Sequence, residues 1–227
     1  MSQNVATTGE QTSRLEQELA ALPEVTRGRN LWQNEMHEYD VYDHTMAYAH
    51  VMKTLSEDPN MIAAAYLHDV GKPVTAKPKT EGVREKAEGM PYHHFHGHEL
   101  EGAKIVRRMA PALFRTHGLV QEKVAALVEH HYAPMKGIKA MRKEATWEGF
   151  YECYRRLDDE LQHLSGGVRK AEVLMMFLAD KLGQGKSVPD IDELRLLHEA
   201  MTVQDDSRRR HLLERVFDLQ RHYPKKP

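Results

Sequence analysis

Apolar residues recur at helical spacing along most of the chain. Residues 168–182, VRKAEVLMMFLADKL, are almost continuously apolar in their middle, which predicts a buried helix. Residues 61–67 form a second apolar run, which Asp58 can cap and Pro59 can open, and it stops before a Gly-Lys-Pro sequence. Only residues 74–95 could contain strand-like alternation of apolar and polar residues. The pattern therefore predicts an all-α fold.

Shorter amphipathic segments, separated by helix breakers, complete this pattern. We expect helices from Ser13 to residue 22, over residues 43–55, from His98 to Pro111, from about Leu119 to His131, within residues 136–165, and as two C-terminal helices that break at Asp205 and Asp206. Residues 1–11 are polar and are predicted to be disordered. Because the chain has no internal repeat, residues 12–227 are predicted to form a single domain with peripheral helices at residues 186–227.

The segment from residue 74 to residue 95 differs from the rest of the chain. It is rich in Lys, Glu, Gly and Pro and lacks sustained periodicity, which predicts a loop or short hairpin that covers a site. Lys77, Arg84 and the nearby His96 are the side chains that we expect to meet a substrate there. For His93 and His94, a role as loop residues is favoured over metal binding.

Histidines and aspartates interrupt the apolar pattern in a fixed order. The series is His44, His68, Asp69, His98, His130, His131 and Asp180. A carboxylate taken out of water is costly unless it is paired or binds a metal, and the series supplies nitrogen and oxygen ligands for more than one cation. A buried ion pair among His68, Asp69 and Asp180 is the structural alternative. We favour a metalloenzyme.

Composition limits the kind of metal site and the cellular compartment that we expect. The chain of 227 residues has 15 histidines, one cysteine (Cys153) and a formal net charge of −2. A single cysteine excludes an internal disulfide framework and a cysteine-based zinc site, in keeping with a reducing compartment, so we expect a cytoplasmic protein. No apolar run approaches the roughly 20 residues that span a bilayer. The net charge gives no global attraction to nucleic acid, and a homo-oligomer is compatible with the sequence.

Five short motifs occur in order over about residues 40–185: YDHTM, YLHDVGKP, FHGHE, VEHHY and LADKLGQG. Together they resemble the HD superfamily of metal-dependent phosphohydrolases. Within the superfamily, HDVGKP followed by FHGHELEGA and a late ADKLG most resembles the HD domain of bacterial CCA-adding tRNA nucleotidyltransferases, which we expect to stand here without a nucleotidyltransferase domain. The resemblance implies an HD-type helical bundle with residues 40–185 as its metal-binding core.

The resemblance also implies roles for individual residues. It assigns the first of two divalent metals to His44, His68, Asp69 and Asp180, and the second to the bridging Asp69 with His98 and His130. His131 departs from the minimal pattern and is a candidate for a third ion or a phosphate contact. Lys72 follows the His-Asp pair by three residues, so its ammonium can meet the substrate phosphate. Asp69 and Lys72 are thus the predicted catalytic residues.

Three functions from different classes remain open at this point. The first is hydrolysis of a phosphomonoester or phosphodiester by a water that two metals activate, with a nucleotide or a 2′,3′-cyclic phosphate as substrate. The second is a mixed-valent diiron oxygenase, because some HD proteins use the same ligand order. The third is a regulatory module that binds a nucleotide or RNA and uses metal only for stability.

Overall fold

The computed structural model describes residues 8–79, 91–185 and 191–222, and its architecture is all-α. The helices are α1 (Thr8–Ala20), α2 (Pro23–Thr26), α3 (Val41–Leu55), α4 (Pro59–Leu67), α5 (Lys72–Thr75), α6 (His98–Arg108), α7 (Pro111–Thr116), α8 (Gln121–His130), α9 (Ala133–Met141), α10 (Trp147–Gln162), α11 (Lys170–Leu182), α12 (Ile191–Thr202) and α13 (Asp206–His222). One antiparallel hairpin, β1 (Lys77–Pro78) with β2 (His93–His94), interrupts them, and Lys77 pairs with His94.

Helix boundaries follow local chemistry. Asp58 accepts a hydrogen bond from the Asn60 amide as the N-cap of α4, and Pro59 opens that helix as the sequence predicts. Asp40 caps α3, because its Oδ1 accepts a hydrogen bond from the Asp43 amide. Its Oδ2 also accepts a hydrogen bond from the Asn30 amide, in the segment before α3. The predicted break at Asp205 and Asp206 is confirmed, because α12 ends at Thr202 and α13 begins at Asp206.

The largest differences from the sequence prediction lie at α1 and in residues 136–165, and the short helices α2, α5 and α7 were not predicted. α1 begins at Thr8, before the expected Ser13 cap, and the remainder of the predicted disordered terminus, residues 1–7, lies outside the described residues. The charged stretch of residues 136–165 holds parts of two helices, α9 and α10, instead of one peripheral helix. Polar residues between 142 and 146 separate them, and Thr146 caps α10 by accepting from the Gly149 amide.

α4 lies at the centre of the bundle. Its residues from Met61 to Leu67 are all buried, which explains why the sequence shows a continuous apolar run instead of one apolar stripe. α4 contacts α1, α3, α8 and α11, and α6 packs on α8. The side chains at the C-terminal end of α4 are therefore enclosed by the helices that carry the other histidines and Asp180.

Two glycines allow these helices to approach closely. A Cβ atom on Gly71 would lie 2.0 Å from the His98 carbonyl oxygen and 2.6 Å from the Gly102 amide nitrogen, so a side chain would push the start of α6 away from the end of α4. A Cβ atom on Gly183 would lie 2.9 Å from the Tyr48 Cα. Both contacts are with backbone atoms, which yield less easily than a flexible side chain. Glycine at these two positions therefore allows the backbone of α6 to approach that of α4, and the end of α11 to approach α3.

Candidate metal centre

The first group of polar residues lies where α3, α4 and α11 meet. His44, in the first turns of α3, and His68, the C-cap of α4, are at most 1% exposed, and Asp180 of α11 faces the cavity with 16% of its side chain exposed. His44 Nε2 lies 3.0 Å from Asp180 Oδ1 and 3.4 Å from His68 Nε2. Suitable ligand atoms of these three residues all lie within 4.8 Å of one another.

The second group joins the end of α4 to α6 and α8. It consists of Asp69, His98 and His131, all buried, with ligand atoms that again lie within 4.8 Å of one another. His98 Nε2 lies 3.3 Å from His131 Nε2. Asp69 lies between the two groups, because its Oδ2 is 3.0 Å from His68 Nε2 and its Oδ1 is 3.5 Å from His98 Nε2.

Backbone carbonyls orient all four imidazoles in the same way. Nδ1 contacts the Gly183 carbonyl in His44 (3.1 Å), the Ala65 carbonyl in His68 (2.8 Å), the Phe95 carbonyl in His98 (2.8 Å) and the Val128 carbonyl in His131 (2.6 Å). A carbonyl can only accept, so each Nδ1 carries the proton and donates it. In the neutral tautomer this leaves a bare lone pair on each Nε2, pointing into the site.

The electrostatics keep these ligands in their metal-binding protonation states. Burial lowers the pKa of His131 to about 3 and also lowers the pKa of His98, so both imidazoles are neutral near pH 7. Burial alone would raise the pKa of Asp69, but the contacts with His68 and with the Lys72 ammonium outweigh it and hold that pKa well below its ordinary value of 3.8. Burial likewise raises the pKa of Asp180, and the contact with His44 outweighs it and places that pKa below its ordinary value.

These contacts fit a divalent metal and are hard to explain without one. The neutral imidazoles of His98 and His131 place their Nε2 atoms 3.3 Å apart, with lone pairs directed at each other and no proton between them. Both oxygens of Asp69 are buried, and although His68 Nε2 and Lys72 Nζ lie within ion-pair distance of Oδ2, neither meets hydrogen-bond geometry. A cation between nitrogen and oxygen ligands removes both costs. Imidazole with carboxylate suits first-row transition metals.

The structure differs from the sequence prediction at the paired histidines. His131, and not the expected His130, joins His98 and Asp69. Consecutive residues of a helix point about 100° apart, so only one of the two can face α6. The ring of His131 packs against both His68 and His98, whereas His130 Nε2 is buried without a hydrogen-bond partner among the described residues. The structure thus places His131 within the second group, and its expected role toward a third ion or a phosphate stays a prediction.

Lys72 lies beside the centre, as the sequence predicts. Its ammonium is 2.6 Å from Asp69 Oδ2 and donates to Gln33 Oε1 at 2.6 Å, although the residue is only 7% exposed. Sequence reasoning missed Gln33 and His37, which also border the centre; the His37 ring contacts His44 edge-on, with centroids 5.2 Å apart. Both belong to residues 27–40, where no periodicity or motif marks them.

An open cavity of about 990 Å³ leads from solvent to the centre. Among the described residues, its cationic lining consists of Lys72, Lys79, Lys136, Lys139, Arg142 and Lys181. His96 lines the cavity as expected, with its ring centroid 5.5 Å from that of His94. Lys77 lies on the exposed strand β1 and is not among the described lining residues, whereas Lys79 is. Arg84 lies outside the described residues.

The C-terminal helices are less peripheral than the sequence suggests. Gln220 of α13 lines the same cavity, and it donates to Glu193 of α12 at 2.8 Å. Glu193 is fully buried and accepts two hydrogen bonds from Arg142 at the end of α9. The far wall of the cavity therefore depends on residues beyond the predicted metal-binding core.

Comparison with known proteins places this arrangement in a family. The HD domain profile matches residues 41–184, more than half of the chain, and the match includes every residue of the two groups. No curated protein matches the chain significantly. Within the described residues no helix is both long and apolar enough to cross a membrane. Members of the matched family are typically metal-dependent hydrolases. From the profile match and the His-Asp geometry together, the chain belongs to the HD-domain family.

Proposed function

We propose that this protein is a metal-dependent phosphohydrolase that cleaves a phosphate ester of a nucleotide or a 2′,3′-cyclic phosphate. One observation carries the proposal: the Nε2 atoms of four imidazoles and two carboxylates converge at the floor of a cavity whose described lining is rich in ammonium and guanidinium groups. Such a floor suits cations, and such walls suit an anionic substrate.

The ligand geometry supports two cations. Asp69 directs one oxygen toward His44 and His68 and the other toward His98, which is the arrangement of a bridging carboxylate. Two bound divalent cations supply Lewis acidity, which activates water and neutralises phosphoryl oxygens. Mn, Fe, Co, Ni and Zn all suit this donor set, and it does not choose among them.

The chain's own residues supply orientation and charge. The carbonyl bonds at Nδ1 hold the four rings in one orientation, so the ligands need little rearrangement as charge develops. Lys72, held between Asp69 and Gln33, places a positive charge at the edge of the centre, where it can contact a phosphoryl oxygen. The low solvent exposure of Asp69 and Lys72 strengthens these interactions.

The cavity wall favours hydrolysis of a phosphate ester over the diiron oxygenase alternative. The same histidines and carboxylates would serve either chemistry. Among the described residues, however, the lining contains six cationic side chains against four acidic ones, Glu35, Asp69, Glu99 and Asp180, and the two aspartates belong to the candidate ligand set. A site for a polyanionic ester needs such a balance, whereas activation of oxygen does not. The likeness of the motifs to the CCA-adding branch supports a 2′,3′-cyclic phosphate.

The test is metal analysis of the purified protein, followed by assays with Mn, Co, Ni, Fe and Mg. Bis-p-nitrophenyl phosphate, p-nitrophenyl phosphate and 2′,3′-cyclic AMP distinguish diesterase from monoesterase activity. We expect metal-dependent turnover that falls by at least about a thousandfold in Asp69→Ala and Asp69→Asn, because both remove the bridging charge. Asp159→Ala, at an exposed position of α10, is the matched control and should keep full activity.

Two results would contradict the proposal. Full turnover in a folded Asp69→Asn protein would exclude the assigned centre. Absence of turnover together with two tightly bound irons and substrate-dependent oxygen uptake would establish the oxygenase instead. Circular dichroism of each variant separates loss of chemistry from loss of fold.

A further inference from the structure

One wall of the cavity carries three cations at intervals of three residues. Lys136, Lys139 and Arg142 come from α9 and its C-cap, and we call them the α9 ridge. With a rise of about 1.5 Å per residue, the ridge extends about 9 Å along the wall. Lys72 and the metal centre account for the charge at the cavity floor, but the proposed reaction does not use this ridge.

Acidic partners neutralise the two outer members of the ridge. Lys136 Nζ lies 2.6 Å from Glu99 Oε1, and Arg142 forms a two-point pair with the fully buried Glu193. Lys139 contacts no carboxylate among the described residues, and its ammonium donates to the Tyr132 hydroxyl at 2.6 Å. An ammonium has three N–H donors, so Lys139 keeps both its charge and two further donors for a ligand.

Tyr132 sets the distance between Lys139 and the metal centre. The ring of Tyr132 contacts the His98 ring with centroids 5.4 Å apart, and Lys139 Nζ lies 5.1 Å from the Tyr132 centroid. Lys139 is therefore separated from a ligand of the second group by the width of one aromatic side chain. An anion bound at Lys139 is too far from the centre to belong to the same phosphoryl group, yet close enough to belong to the same small molecule.

We infer that Lys139 forms a second anion subsite, which selects phosphate esters with a second phosphate on the other side of a sugar, as in a nucleoside 3′,5′-bisphosphate. The inference rests on the proposed function only in taking a phosphate ester as the ligand. The cavity of about 990 Å³ is large enough for a nucleotide. Charge at the floor and charge at Lys139 then bind the two ends of the molecule.

Calorimetry of the metal-loaded protein with two probes tests the subsite. Adenosine 3′,5′-bisphosphate should bind about tenfold more tightly than adenosine 5′-monophosphate, the gain expected for one charge-assisted contact. Lys139→Met should abolish this ratio, and Lys139→Arg should preserve it. Lys143→Met is the matched control, because Lys143 is an exposed lysine just beyond the ridge that does not line the cavity. Chromatography after each titration verifies that the probes are intact.

The outcomes separate the subsite from the hydrolase. Equal affinity for both probes in the wild type, or a ratio that survives Lys139→Met, would overturn the subsite even if the protein hydrolyses phosphate esters. A ratio that depends on Lys139 in a protein that hydrolyses no ester would support the subsite and reject the hydrolase.

Discussion

At the scale of single residues, the centre depends on which nitrogen of each histidine bears the proton. Backbone carbonyls of four different segments fix that choice for His44, His68, His98 and His131. A ligand oriented in this way loses little side-chain entropy when it binds a metal, and its basicity rises because Nδ1 donates a hydrogen bond. The hydrogen bond from Nδ1 to the Val128 carbonyl also distinguishes His131 from His130.

The paired histidines give a prediction at this scale. His131→Gln should lower bound metal from two ions per chain to about one, because the second group loses one of its two imidazoles. His130→Gln should retain both ions, since His130 Nε2 makes no hydrogen bond that the substitution would break. Inductively coupled plasma mass spectrometry of dialysed proteins measures the content. The reverse pattern would make His130 the ligand.

Sequence reasoning was strongest where a residue's role is local. Asp58 and Pro59 open α4 as predicted, because capping depends on neighbouring amides. Whether His130 or His131 faces α6 depends on how α8 is rotated about its axis, and the α6 to α8 packing sets that rotation. The apolar residues of α8 are the five consecutive residues 124–128, which surround the helix and so do not define its rotation well enough to distinguish adjacent residues.

At the scale of helices, an ion-pair network joins three N-terminal ends. Lys123 of α8 lies 2.9 Å from Asp58, the N-cap of α4, and 2.9 Å from Glu172 in the first turn of α11. Burial raises the pKa of each carboxyl, but hydrogen bonds from Lys123 and Asn60 to Asp58, and from Arg169 and Lys123 to Glu172, outweigh it and lower both pKa values. The stability of the contacts among α4, α8 and α11 therefore depends on pH.

This network predicts how stability depends on pH. The pKa values of these two carboxyls are lower in the folded protein than their ordinary values of 3.8 and 4.5. Their contribution to stability is therefore fully present at pH values above 3.8 and 4.5, and it is lost as the pH falls through the lowered pKa values. Lys123→Met should therefore reduce the free energy of unfolding by about 1 kcal/mol at neutral pH, with a deficit that shrinks below about pH 4. Urea unfolding at a series of pH values measures the free energy of unfolding of both proteins.

Lys104 provides the control for that experiment. It pairs with Glu101 on the exposed face of α6, where solvent screens the interaction. Lys104→Met should leave both the stability and its pH dependence unchanged. A pH-independent deficit in Lys123→Met would show that lost packing of the lysine stem, and not its charge, is responsible.

At the scale of the whole molecule, Glu193 joins the C-terminal helices to the cavity wall. Its carboxylate has no solvent exposure and receives hydrogen bonds from Arg142 after α9 and from Gln220 in α13. The candidate metal ligands belong to other elements, α3, α4, α6, α8 and α11 and the residues that follow them. We therefore expect stability of the cavity wall and assembly of the metal centre to be separable.

Glu193→Ala tests that separation. Removal of the buried carboxylate breaks the Glu193 contacts of Arg142 and Gln220 and should lower the free energy of unfolding by about 3 kcal/mol, the lower end for a broken buried pair because Arg142 is partly exposed. Metal content should stay at the wild-type value. Glu152→Ala, which removes an exposed pair with Arg156, should not change stability. A loss of metal in Glu193→Ala would mean that the C-terminal helices help to form the centre.

The sequence by itself determined the helical class, most helix boundaries, and the series of histidines and aspartates from His44 to Asp180, because caps, breakers and apolar periods act over a few residues. Only the tertiary structure chose His131 over His130, placed Gln33 and His37 at the centre, and brought Lys139 and Gln220 to the cavity wall. Those choices depend on contacts between segments far apart in the chain, for which local patterns carry no signal.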